Sequence, residues 1–539
     1  MKKTNIVFIT TDQQRKDTLG CYGNSFIQTP CLDKMASEGI VFDRAYCESP
    51  ICMPSRVTMI TGKTARHHGV TLQNSRIRSD EPTVGEVLGN HGYRTHLIGK
   101  AHFKSKQQQG TEESIADWRS GKLAGWNGPY AGFETVDFVL GHSNSLVGHY
   151  GQWIREHHPD KAHFFKDTHL EPLDVSCGQG VYRNSIPEEV HSSTYVGNRA
   201  CEFIHAMKEE DRPFYCMVNF PDPHWPIAPP QPFFDMYSDV DIPAPVPYLN
   251  EHLKENYPRT FHNAAINGKT RYDGGGHIVQ DGMDIPKITK AYWGAITLID
   301  KNVGRMMDAL RECGMEENTL VVFTSDHGEY MGTHGMMAKG GFLWESLVNV
   351  PLLMKYPREI QAGRRTDALL SFVDLVPTML DCANIDAGEM ECDGLSQRPI
   401  MCGDEKNLRK AVTVFHPSQL AGPVSAVYDN DELMQLELIP DQHAIVTKDW
   451  KLVYFAGDRG GLMFHLADDP DERNNVYNVP VYREQQDRLT RRLLDELILQ
   501  QDRRALKLRK NADHYGEHIM SYDKWKPEFD AIERETGLK

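Results

Sequence analysis

The chain has 539 residues, of which 40% are hydrophobic, 25% charged and 9% aromatic, a balance that excludes a disordered, collagenous or fibrous protein. Lys and Arg number 59 against 75 Asp and Glu, and the formal charge of −16 argues against broad binding to nucleic acid or to an anionic membrane. No apolar run reaches the roughly 18 residues that span a bilayer. The 11 cysteines show no CxxC pairs or zinc-type spacing, so reduced thiols in a cytoplasmic protein are expected.

In chain order, residues 5–10 form a continuous apolar run that predicts a buried strand, and the run delivers Asp12-Gln13 at its carboxyl end. Residues 49–62 read Ser-Pro-Ile-Cys-Met-Pro-Ser-Arg-Val-Thr-Met-Ile-Thr-Gly. A cysteine opening a helix there would be a low-pKa thiol, because the helix N-terminus favours the thiolate. A helix is predicted over 83–90 and a strand over 95–98, followed by Gly99-Lys100-Ala101-His102. Residues 188–208 and 285–311 show helical spacing, and residues 213–219 and 319–325 read as buried strands. Pro223-His224-Trp225-Pro226 follows the first of these strands, and Asp326-His327-Gly328 ends the second. Residues 104–186 and 226–283 have weak periodicity and are expected to be lids or binding walls, or else poorly ordered loops. Beyond about residue 400, residues 443–455 suggest a hairpin and residues 482–506 a charged amphipathic helix.

Strands alternating with helices predict an α/β domain with a mostly parallel sheet, spanning residues 1–400, and a smaller C-terminal α+β subdomain over 401–539. Ligands in such sheets sit beyond the carboxyl ends of the strands. Asp12 and Asp326 at two such ends would make a divalent-metal site. Each could equally cap the loop or helix that follows it.

The segment Cys52-x-Pro-Ser55-Arg56 followed by Thr61-Gly62 resembles the signature of the type I sulfatases of the alkaline phosphatase superfamily. The Gly-Lys-x-His, Pro-His-x-Pro and Ser-Asp-His-Gly elements follow in that family's order, as does Lys339 with Glu345 after five intervening residues. Together with the C-terminal segments around 449–454 and 468–474, the resemblance covers residue 4 to about 500. It implies an alkaline-phosphatase-like sandwich, a large mostly parallel sheet flanked by helices.

The resemblance also implies that Cys52 is oxidised to formylglycine by a maturation enzyme and that the hydrated aldehyde attacks a sulfate ester. Asp12, Gln13, Cys52, Asp326 and His327 would hold one divalent ion. Arg56 would orient the diol, and Lys100 would stabilise charge beside it. His224 and Lys339 would act at the leaving oxygen, and His102 would accept a proton as sulfate is expelled. Asn74 resembles a substrate-contacting position of some relatives. The aldehyde explains the modification chemically, since sulfate leaves a gem-diol by elimination and no stable sulfo-enzyme ester has to be hydrolysed.

Two positions depart from the usual pattern: Gln13 stands where many sulfatases have a second carboxylate, and His327 where others have Asn. A neutral amide and an imidazole soften the site, admitting Mn²⁺ or Zn²⁺ beside the Ca²⁺ or Mg²⁺ of the family. The same pair resembles the phosphonate monoester hydrolases, so hydrolysis of phosphonate monoesters or phosphodiesters is the alternative activity. Lys100 and His102 keep the sulfatase form. The expected partners are a small anionic sulfate ester and the maturation enzyme. The charged C-terminal helix and tail could serve as a subunit arm in a homo-oligomer, although an exposed, solvated helix is the simpler expectation.

Overall fold

A computed structural model describes residues 2–73, 75–166, 170–172, 180–242, 256–258, 277–278, 283–417 and 441–501. Residues 1–490 form one compact unit. A second unit, residues 491–539, is described only to residue 501, where it is the distal part of the helix Arg483–Gln501. No described helix is long and apolar enough to cross a membrane.

Nine strands make the main sheet of the first unit. Five of them run parallel in the spatial order Thr319–Ser325, Asn5–Thr11, Phe214–Asn219, Arg94–Gly99 and, at the edge, Thr135–Phe138. Beyond Thr319–Ser325 lie the antiparallel Leu352–Lys355 and then Ile40–Tyr46, which also pairs Arg364–Ser371 and Asn349–Val350. The four strands expected from apolar runs are these central ones, because strands covered on both faces need no polar alternation. Successive residues feed opposite layers: Ile6, Phe8, Leu320, Val322, Tyr215 and Met217 pack in one core, and Val7, Ile9, Val321, Phe323, Cys216 and Val218 in the other. The helices Ser192–Ala206 and Ile285–Glu312 cover the second layer, and Cys52–Thr61 and Leu375–Cys382 cover the first.

A second, antiparallel sheet of four strands comprises Val412–His416, Gln442–Val446, Trp450–Phe455 and Gly461–His465. Lys451 on it is fully buried and reaches Glu345 (3.0 Å) and Glu472 (2.8 Å). Tyr46 Oη and Asn349 Nδ2 donate to the other oxygen of Glu345, at 3.0 and 3.1 Å. Glu345 therefore ties the small sheet to the large one, away from the cluster around Lys339.

The weakly periodic stretch 104–186 holds more regular structure than its pattern suggests. Thr135–Phe138 is the edge strand of the main sheet, and His149–His157 is a helix. The strand has only four residues, alternating half-buried and buried, too short a repeat for periodicity to register.

Candidate active site

The register of the central strands assembles the site. Thr11 pairs with Ser325, so Asp12 and Asp326 leave neighbouring strands side by side. Asn219 pairs with both Thr10 and Gly99, so Lys100 emerges two strands from Asp12. Gly99 has φ 92°, and a Cβ there would lie 1.9 Å from the Asn219 carbonyl oxygen, so the chain can turn here only with glycine. Asn219 in turn donates to the Lys100 carbonyl (2.8 Å), and the Lys100 amide donates back to the Asn219 carbonyl (3.0 Å).

The helix Cys52–Thr61 points its N-terminus at the same ends. Cys52 and Arg56 are one turn apart and share a face. Ser55 Oγ donates to the Asp326 carbonyl (2.6 Å), which fixes the helix against the strand end. Gly62, at φ 64°, closes the helix by donating to the Thr58 carbonyl.

The two aspartates are fully buried, and Asp326 does both things its position allows. Its Oδ1 accepts from the amides of Gln13 and His327, each at 2.9 Å, as a cap would. Its Oδ2 accepts from Arg56 Nε at 2.8 Å. Arg56 is itself wholly buried, with a terminal nitrogen 3.5 Å from Asp12 Oδ2 and the other donating to the Lys100 carbonyl (3.0 Å). Lys100 Nζ also bonds Asp12 Oδ2.

Cys52 Sγ lies 3.7 Å from Asp12 Oδ1 and 3.2 Å from His327 Nε2. Lys339 Nζ approaches it at 2.7 Å and also meets Gln13 Oε1 (3.0 Å), His224 Nε2 (3.0 Å) and His327 Nε2 (3.2 Å). Gln13, at φ 68°, gives its Nε2 to the buried carboxylate of Glu329 (2.5 Å), which turns its Oε1 into the cluster. Trp225 Nε1 reaches the same Glu329 oxygen at 2.9 Å.

These contacts set the electrostatics. Burial would raise the Asp12 carboxyl, but Lys100, His224, Arg56 and Lys339 hold it well below the ordinary range. Burial and Asp12 push the Cys52 thiol up, yet Lys339, Lys100 and His327 outweigh them and bring it below its usual value. Burial works against the Lys339 charge, and Cys52, Asp12 and Asp326 keep it raised. Burial, then Lys100, Lys106 and Arg56, push His102 well below its ordinary value, so its imidazole is neutral. His224 is lowered by burial, Lys339 and His142.

The donor set suits a divalent cation. Ligand atoms of Asp12, Cys52, Asp326 and His327 all lie within 4.8 Å of one another, and all four residues are buried. Two carboxylates, the oriented amide oxygen of Gln13 and one imidazole are the mixed oxygen and nitrogen donors such ions take.

The structure brings together Asp12, Gln13, Cys52, Arg56, Lys100, His224, Asp326, His327 and Lys339, with His102 on the loop after Lys100. Asn74 lies outside the described residues. Glu345 of the Lys339 motif lies away from the site, as described above. One group has no counterpart in the sequence reading. His142 stacks on His224 with ring centroids 4.2 Å apart, its Nε2 is 3.3 Å from Lys100 Nζ, and its Nδ1 donates to the Pro221 carbonyl (3.1 Å). It sits in the weakly periodic stretch, and a lone histidine there carries no motif signal. Among the other described cysteines, Cys47, Cys216, Cys382 and Cys392 are buried, as small apolar side chains would be.

Comparison with known proteins agrees with this geometry. The sequence model of the sulfatase family matches residues 4–385, and that of the N-sulphoglucosamine sulphohydrolase C-terminal region matches 332–499. An arylsulfatase of Clostridium perfringens is 30% identical over 510 residues, covering 92% of this chain and 94% of its own. An N-acetylglucosamine-6-O-sulfatase of Bacteroides thetaiotaomicron is 24% identical over 547 residues, covering 92% and 86%. Among solved structures, the phosphonate monoester hydrolase of Agrobacterium radiobacter superposes with a TM-score of 0.75 at 24% identity, over 92% of this chain and 96% of that one. The family implies a metal ion and a formylglycine, and the buried cluster around Cys52 fits both. With its sheet, its smaller C-terminal sheet and its ordered motifs, the chain belongs to the sulfatase family of the alkaline phosphatase superfamily.

Proposed function

We propose that the protein hydrolyses an aryl or carbohydrate sulfate ester to alcohol and inorganic sulfate at the buried cluster around Cys52. The observation that carries this is one buried thiol in contact with Asp12, His327 and the Lys339 ammonium together. Asp12, Gln13, Asp326 and His327 would hold one divalent ion. Calcium is the family's usual ion, and the amide and imidazole admit Mn²⁺ or Zn²⁺. Converted to formylglycine by a maturation enzyme, Cys52 would supply a hydrated aldehyde as nucleophile, and the metal would lower the pKa of its hydroxyl.

The chain's own groups do the rest. Arg56 and Lys100 neutralise Asp12 and Asp326 and keep fixed positive charge beside the anion in a site closed to bulk water. His224 Nδ1 faces the Trp225 carbonyl oxygen, so that nitrogen carries the hydrogen and Nε2 accepts from Lys339. The Lys339–His224 pair is thus the source of a proton for the leaving oxygen. His102, neutral and buried, accepts a proton as sulfate departs.

Mass spectrometry of the Cys52 peptide with turnover of an aryl sulfate tests this reading, and an active enzyme carrying only unmodified cysteine overturns it. Gln13 and His327 support a second reading, phosphonate monoester or phosphodiester hydrolysis at the same site. The ratio of kcat/KM for matched sulfate and phosphonate esters decides between them. The antiparallel sheet beyond residue 400 supports a C-terminal subdomain over 401–539.

A further inference from the structure

We propose that Glu113 is a positioning residue for His102, fixing the loop that presents this imidazole; the proposal rests on reading His102 as the proton acceptor. His102 has φ 58°, a left-handed backbone that a residue with a side chain keeps only when its surroundings enforce it. Its Nδ1 is buried and meets no hydrogen-bond partner among the described residues. A catalytic histidine is commonly oriented through its second ring nitrogen. Here that handle is missing, and the orientation has to come from the backbone.

The fully buried carboxylate of Glu113 supplies it. Its Oε2 accepts from the His102 amide at 2.8 Å. Its Oε1 accepts from the amides of Phe103 (2.7 Å) and Lys104 (2.9 Å) and from Tyr130 Oη (2.5 Å). Three consecutive N–H groups converging on one anion form a cradle that only this turn can make. The loop is anchored on its outer side as well, where the Ile77 amide donates to the Phe103 carbonyl (3.0 Å) and the Ile115 amide to the Lys106 carbonyl (3.1 Å). These hydrogen bonds of Glu113 go to the loop backbone and to Tyr130, so its effect passes through His102.

Glu113→Gln tests the assignment. The amide oxygen keeps the three donors at Oε1, while its NH2 faces the His102 N–H, donor against donor, so the change acts at His102. With an aryl sulfate, kcat falls about 10²-fold, the loss that a displacement of about 1 Å produces. His102→Ala is slow as well, and the double variant is no slower than His102→Ala alone, because both remove one function. Wild-type kcat in Glu113→Gln, or losses that multiply in the double variant, overturns the role of Glu113 and leaves that of His102 standing. Wild-type kcat in His102→Ala overturns the reading of His102 itself. If Glu113→Gln does not fold, Glu113→Asp, which keeps the charge but shortens the reach, carries the same cycle.

Discussion

Replacing Arg56 with methionine removes the one guanidinium that faces both aspartates of the site. Arg56, Asp12 and Asp326 have no exposed surface, so the carboxylates left behind have no water to turn to. Methionine keeps much of the volume and therefore isolates the charge. Removing one partner of a buried ion pair costs roughly 3–5 kcal/mol, because the other charge is left uncompensated. The Lys100 carbonyl adds little, since Asn219 Nδ2 still donates to it at 2.8 Å. Lys100 continues to neutralise Asp12, so Asp326 bears most of the penalty. In a cooperative unit of this size the expected fall in Tm is about 3–5 °C, read by circular dichroism in a chelating buffer so that metal binding does not mask it. Activity falls further than stability, because Arg56 also supplies charge that the transition state needs, and kcat/KM for an aryl sulfate drops roughly 10²–10³-fold. Arg56→Lys keeps the charge but cannot serve two carboxylates and a carbonyl at once, so it recovers only part of each loss. A methionine variant less than about 1 kcal/mol destabilised and within a few-fold of wild-type activity would refute the account of a buried charge triad.

Three further outcomes follow from particular side chains. Burial raises the Glu48 carboxyl to about 8, Asp393 adding to the shift and its bond from the Ala65 amide opposing it. A carboxyl with a raised folded pKa holds its proton more tightly folded than unfolded, so its stabilisation is full below about pH 4.5 and is lost as pH climbs to about 8. The bound on this loss is about 4–5 kcal/mol. Glu48→Gln should therefore flatten the fall in Tm between pH 6 and 8.5, and parallel curves would contradict it. Glu329→Met removes the acceptor that orients Gln13, so metal affinity of the chelator-stripped protein should fall about 10–100-fold by calorimetric titration; an unchanged Kd rules that role out. Lys339→Met should slow alkyl sulfates more than nitrophenyl sulfates, since a good leaving group needs less of the proton held by Lys339 and His224. Equal losses for both would remove that pair from the leaving-group step.

The fold was largely legible because its central strands are covered on both faces: residues 5–10 and 319–325 carry unbroken apolar runs that no helix or exposed strand needs. The ends of those strands were legible for the same reason, since Asp12 and Asp326 follow the last strand residue directly. The order of strands in the sheet was not, because nothing in an apolar run states its neighbour. The register that sets Asp12 against Asp326 comes from packing alone. His142, Glu113 and Glu329 were hidden for another reason. Each acts through partners brought up by the fold, and a glutamate that accepts three backbone amides has the same letter as one in solvent. Glu345 shows what spacing leaves out: it shares a motif with Lys339, yet it opens a short helix of its own, faces Lys451 and joins the two sheets.

On the proposed reading, the charge arrangement would leave this site open to more than one ester. Asp12 and Asp326 are met by Arg56 and Lys100, while Lys339 lies against Cys52, Gln13 and His224 with no carboxylate in contact. In the relatives that place a second carboxylate after the first strand, a charged ligand stands where this chain has neutral Gln13. Here the Gln13 amide is held by Glu329, a carboxylate one hydrogen bond further out. The pocket is therefore more positive at the point of attack than an Asp–Asp site would be, although the chain as a whole is acidic. Sulfate monoesters, phosphonate monoesters and phosphodiesters each present a single negative charge to such a pocket, so charge alone separates none of them. Discrimination falls to the leaving-group side, where His224 stacks on His142 and both imidazoles accept from lysines. That side is built from loops with no sequence motif beyond Pro-His-x-Pro, which is why the reaction class could be read from the chain while the choice of substrate belongs to its tertiary structure.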